Sequence, residues 1–252
     1  MEITASELGH LIAFKAIIKS ETTMENLPFY IPLIFVLTTG LTVLFFHSAA
    51  NGNRLVLLVL FGLLVIQAIV ARTGFFTVTH TLPPRFLLLV GPPLLIILFM
   101  FLTRKGKEFI DNLNLKTLTL LHIIRIPIEL VLFWLFLHES VPQLMTFEGR
   151  NFDIISGLTA PLVYYFGFVK KVLSPKVILL WNFICLGLLF NIIINAILSA
   201  PTPFQQFAFD QPNIAILYFP FVWLPGIVVP LVLFAHLAAI RQLLFPVATL
   251  KF

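Results

Sequence analysis

Charged residues are scarce in this chain: Lys, Arg, Asp and Glu together make up 11% of its 252 residues. Soluble domains carry about 25%, and a surface of this size cannot be kept in water by so few charges. A water-soluble globule is therefore excluded, and lipid is the solvent for most of the side chains. Cysteine is nearly absent as well. Cys185 is the single one, which excludes an intramolecular disulfide and a thiolate metal cluster, and its apolar surroundings in the sequence mark it as a small packing residue. Basic runs with interleaved aromatics are missing, so the net charge of +5 does not point to nucleic acid. There is no HExxH motif and no histidine pair at i, i+4. The first 23 residues lack a long apolar core and a small-residue cleavage site, so no cleavable signal peptide is expected.

What is present is apolar: 60% of residues are hydrophobic and 28 are Phe. A helix needs about 20 apolar residues to cross a bilayer. The sequence offers such stretches at about 28–47, 54–71, 84–103, 115–138, 152–173, 176–199 and 219–241. The expected fold is all-α, a polytopic bundle of seven transmembrane helices in one domain covering 28–252. Pro220, Pro225 and Pro230 punctuate the last apolar stretch, 214–245, which reads as an interfacial lead-in followed by a kinked helix. Residues 1–27 form a separate segment, with a weak amphipathic pattern that fits a short interfacial helix; Met24 is an alternative start.

The connections are short, so Lys and Arg should mark the cytoplasmic side. Arg54, Arg104, Lys105, Lys107, Lys116, Lys170, Lys171, Lys176, Arg241 and Lys251 fall on one side, ten against the five of Lys15, Lys19, Arg72, Arg85 and Arg150 on the other. This asymmetry predicts the N-terminus outside and the C-terminus in the cytoplasm. The compact size and short loops suit a multi-pass protein of a bacterial cytoplasmic (inner) membrane.

Polar residues inside the spans narrow the function. In the fourth span His122, Arg125 and Glu129 lie at i, i+3 and i+7, within an arc of about 60° at 100° per residue. A lone charge at the bilayer centre costs about 2.5–3.5 kcal/mol on insertion scales, so these groups are expected to face the bundle interior. The i, i+4 spacing lets Arg125 and Glu129 neutralise each other. In the fifth span Asp153, Ser156, Gly157, Ala160 and Tyr164 share a face. Asp153 also suits a helix N-cap. Asn191 and Asn195 add a polar turn in the sixth span, suited to interhelical hydrogen bonds.

Together these residues predict an outward-facing polar cavity between the fourth, fifth and sixth spans. His138, Glu139, Glu148, Arg150 and Asn151 would line its mouth, and a midplane Arg125/Glu129 pair would lie within. The favoured reading is transport of a small solute or ion, with no cofactor. One alternative is an intramembrane metal-dependent enzyme on a lipid-like substrate, with zinc or haem held by His47, His122 and His236. Another is a non-catalytic sensor or assembly subunit with an oligomeric or membrane partner. A seven-helix retinal protein is not indicated, because 214–245 contains no lysine for a Schiff base.

Overall fold

The computed structural model describes residues 24–79 and 81–246, and all regular structure among them is helical. The interfacial segment expected within residues 1–27 lies almost wholly outside the described residues. In chain order the helices are α1 (Tyr30–Ala49), α2 (Arg54–Arg72), α3 (Leu87–Leu102), α4 (Arg104–Asp111) and α5 (Leu115–Leu121); then α6 (Arg125–Leu137), α7 (Ile154–Tyr164), α8 (Pro175–Ser199) and α9 (Val229–Leu244). A 3-10 turn, His122–Ile124, joins α5 to α6. A π turn, Tyr165–Val169, extends α7, and another, Leu224–Val228, leads into α9.

The stretches Tyr30–Ala49, Arg54–Arg72, Leu115–Leu137, Pro175–Ser199 and Leu224–Leu244 are each long and apolar enough to cross a membrane. The bent pair α3–α4 makes a sixth if it counts as one span. Large apolar side chains such as Leu55, Leu58, Phe61, Ile66 and Ile69 stand exposed along α2. In a chain with so few charges, that exposure identifies a multi-pass membrane protein.

Local chemistry sets the helix ends. Asn53 caps α2 by accepting from the Leu55 amide at 2.9 Å, and Asn114 caps α5 by accepting from the Thr117 amide at 3.1 Å. Pro175 stands in the first turn of α8, where its missing N–H costs nothing.

The third span, expected over 84–103, is the helix Leu87–Leu102, and the departure lies just beyond it. The chain turns by 93° between α3 and α4, so Arg104, Lys105 and Lys107 lie on a short amphipathic helix rather than in a loop. Thr103 caps α4 by accepting from the Gly106 amide at 3.1 Å. A Cβ on Gly106 would overlap the Met100 backbone, so the tight bend requires glycine there.

The last helix is the centre of the bundle: 72% of its membrane-length window is buried, against 17% for α2. Pro225 stands in the π turn and Pro230 in the first turn of α9. The main core runs from Ile31 on α1 to Ile240 on α9. At one end of the bundle Arg241 on α9 donates twice to the Asp111 carboxylate, at 2.9 and 2.8 Å. Gln242 beside it donates to the Ile110 and Leu113 carbonyls. This clasp ties α9 to the end of α4.

Candidate functional site

Pro127 shapes the fourth span. It has no N–H to offer the Ile123 carbonyl, and its ring crowds that turn. The chain tightens to 3-10 geometry over His122–Ile124 and resumes as α-helix at Arg125. His122, Arg125 and Glu129 all face inward, as the shared arc predicts, and each is at most 2% exposed.

Arg125 makes an ion pair with Asp153, Nη1 donating to Oδ1. This corrects the expected Arg125/Glu129 pair: the partner comes from the next span instead. Asp153 occupies the cap position of α7, yet its side chain makes no capping bond, because the carboxylate is turned to the guanidinium. The two helices can meet here because residue 157 has no side chain. A Cβ on Gly157 would lie 3.3 Å from the Arg125 Cβ and 2.9 Å from the Ile126 side chain.

The second amine of Arg125 lies 2.9 Å from Nε2 of His236 on α9, and Nδ1 of His236 lies 2.9 Å from Oδ1 of Asn182 on α8. Asn182 uses its own amide N–H on the Ile178 carbonyl at 2.9 Å, so its oxygen faces the imidazole as an acceptor. His236 therefore carries its proton on Nδ1 and accepts from Arg125 at Nε2. One polar chain, Asp153–Arg125–His236–Asn182, thus links α7, α6, α9 and α8. The His122 ring stacks on His236, centroids 3.9 Å apart and 12° from parallel. Trp181 closes the pair edgewise, 5.6 Å from His122, and is itself fixed by donating to Thr159 at 2.9 Å.

Glu129 belongs to an adjoining arm. Its Oε1 accepts from the Asn151 amide, which also donates to the Met145 carbonyl at 3.0 Å. The Asn151 oxygen accepts from the Asp153 amide at 3.1 Å. Asn151, expected at a cavity mouth, is fully buried and joins the Glu129 arm to the Asp153 arm.

Three polar atoms of this cluster have no hydrogen-bond partner: Oε2 of Glu129, Nε of Arg125 and Nδ1 of His122. Buried polar atoms are nearly always satisfied, so three unpartnered atoms in one cluster set it apart from an ordinary packed core.

The residues expected to line an outward cavity between these spans are, at the cluster, buried. The cluster is closed, with Asp153, its most accessible ionisable member, only 6% exposed. Of the other expected mouth residues, His138 binds the Trp134 carbonyl at 2.8 Å. Arg150 stacks over Phe207 at 5.5 Å, and Glu139 and Glu148 are exposed. Asn191 ties α8 to the loop by donating to the Arg150 carbonyl at 2.7 Å, and Asn195 donates back to Asn191. Tyr164 packs in a separate apolar cluster with Phe168, Ile178 and Leu115. Asn182 was missed as a site residue; its signal is a lone amide in the apolar run ILLWNFICL.

The histidine triad is not assembled. His122 and His236 meet, but both ring nitrogens of His236 are engaged and neither bonds to His47. Among the described residues no three His, Cys, Asp or Glu side chains converge as a metal-binding group.

Comparison with curated proteins and with solved structures finds no match. Residues 82–244, the stretch that carries the whole buried cluster, match the family model of DUF8737, a domain of unknown function, and the chain belongs to that family.

Proposed function

We propose that this protein transports a small solute or ion across a membrane, with proton movement linked to the buried cluster of Glu129, Arg125, Asp153, His122 and His236. The observation that carries the reading is the cluster itself. Ionisable side chains from α6, α7 and α9 meet inside a lipid-embedded bundle, and three of their polar atoms are unpartnered. Intramembrane ionisable groups are expensive, and they mark solute, ion and proton pathways. The closed geometry fits an occluded state, in which the site reaches neither side. Release then requires the helices to move. Supporting this, α7 ends and α9 begins in π turns, which are common at functional sites and at bends.

The topology belongs to the same proposal. Five membrane-length helices, the bent pair α3–α4 and the shorter apolar stretch Ile154–Val169 account for seven crossings, with the N-terminus outside and the C-terminus in the cytoplasm of a bacterial cell. α4 then lies along the cytoplasmic surface.

The test is proton flux into liposomes holding the purified full-length protein and a trapped pH-sensitive dye, driven by a potassium diffusion potential. Wild type acidifies the lumen and Glu129→Gln does not. Equal flux in a well-folded Glu129→Gln protein removes Glu129 from the pathway.

A further inference from the structure

On the opposite side of α9 from His236 a groove of about 300 Å³ opens between α2, α3, α4 and α9. Leu55, Val59, Ile96, Phe99, Leu231 and Phe234 form its walls. Pro93 and Gly226 line the end away from Lys105. The other end is polar, formed by Asn53, Thr103 and Lys105, just past the α3–α4 bend.

Length and charge select the occupant. From Pro93 to Thr103 the wall rises about 15 Å at 1.5 Å per residue, half of the roughly 30 Å hydrocarbon core. The groove therefore spans one leaflet, the reach of a single acyl chain, with Lys105 at headgroup level. The carboxylates of α4 are already used, Glu108 by Arg104 at 3.1 Å and Asp111 by Arg241 at 2.8 Å. Among the described residues no carboxylate pairs with Lys105. The polar end is thus left with uncompensated positive charge beside an apolar slot.

We infer that this groove binds one anionic phospholipid of the leaflet on the Lys105 side, an acyl chain along α2, α3 and α9 and the phosphate at Lys105. The site shares no residue with the buried cluster, so it stands whether or not the transport proposal does.

Native mass spectrometry of the full-length protein in detergent, with equal amounts of dioleoyl phosphatidylglycerol and dioleoyl phosphatidylcholine, tests it. Wild type should retain phosphatidylglycerol about fivefold over phosphatidylcholine, the preference one cationic side chain confers at a headgroup. Lys105→Gln should bring the two lipids close to parity, while Lys107→Gln, outside the groove lining, should keep the preference. Val59→Trp, at a half-exposed position, should fill the slot and reduce retention of both lipids. No preference in wild type, a preference that survives Lys105→Gln, or lipid retention untouched by Val59→Trp would each overturn the assignment. A lipid-free dimer would do the same by placing a second copy in the groove.

Discussion

Arg125 reaches across to Asp153 of the next span and not to Glu129, one turn along its own helix. The choice separates the two carboxylates: Asp153 neutralises the guanidinium, and Glu129 is left with one amide donor and one unpartnered oxygen. Asp153 is thus the partner of the guanidinium, and Glu129 is the carboxylate that keeps an unpartnered oxygen.

The difference should appear in stability. Breaking a buried ion pair from one side costs about 3–5 kcal/mol, so Asp153→Leu should sharply lower the thermal midpoint of the detergent-purified protein. Glu129→Gln keeps the shape and the Asn151 contact and should lower it far less. In double-mutant cycles Arg125 should couple strongly to Asp153 and weakly to Glu129; the reverse ranking would restore the helical pair that the i, i+4 spacing suggests.

Gly157 sets the approach of α7 to α6. Gly157→Ala places a Cβ 2.9 Å from the Ile126 side chain, and overpacking of this kind costs about 1–3 kcal/mol. Gly187 on α8 has nothing within 4 Å of such a Cβ, so Gly187→Ala should be close to neutral. Thermal unfolding of the two variants side by side reads the contrast.

Asn182 fixes the proton of His236 on Nδ1. Asn182→Leu removes that acceptor, and the ring should then populate the other tautomer or lose its place against Arg125. Nitrogen chemical shifts of labelled histidine report this directly. An unchanged spectrum would show that Asn182 does not hold the imidazole.

The proposed orientation predicts sidedness. The native Cys185 is buried and should resist membrane-impermeant maleimide. Lys105→Cys should react only from the cytoplasmic side and Glu148→Cys only from outside, in intact cells against inside-out vesicles.

Much of the fold was legible because lipid imposes a simple code. The span expected over 54–71 is the helix Arg54–Arg72, and that over 176–199 is Pro175–Ser199. The α3–α4 bend was not legible: Arg104, Lys105 and Lys107 read as a loop, because a charged eight-residue helix leaves no apolar run. Within the site, helical spacing put His122, Arg125 and Glu129 on one face. Spacing within a helix says nothing about neighbours, so it could not choose Asp153 over Glu129 as the partner of Arg125. Asn151 read as a mouth residue because it stands in a polar loop. The fold of that loop turns it inward onto Glu129, and no local pattern encodes that path. The stacking of His122 on His236 joins positions 114 apart in sequence, which only the packing of α9 at the bundle centre brings about.

The central claim is that the cluster around Glu129 moves protons, and the most direct measurement is dye-reported proton flux in liposomes for wild type, Glu129→Gln and the stability control Gly187→Ala. The account predicts potential-driven flux in wild type and Gly187→Ala and none in Glu129→Gln, with all three equally well folded by thermal unfolding. Flux undiminished in Glu129→Gln, or no flux in any of the three, would contradict it.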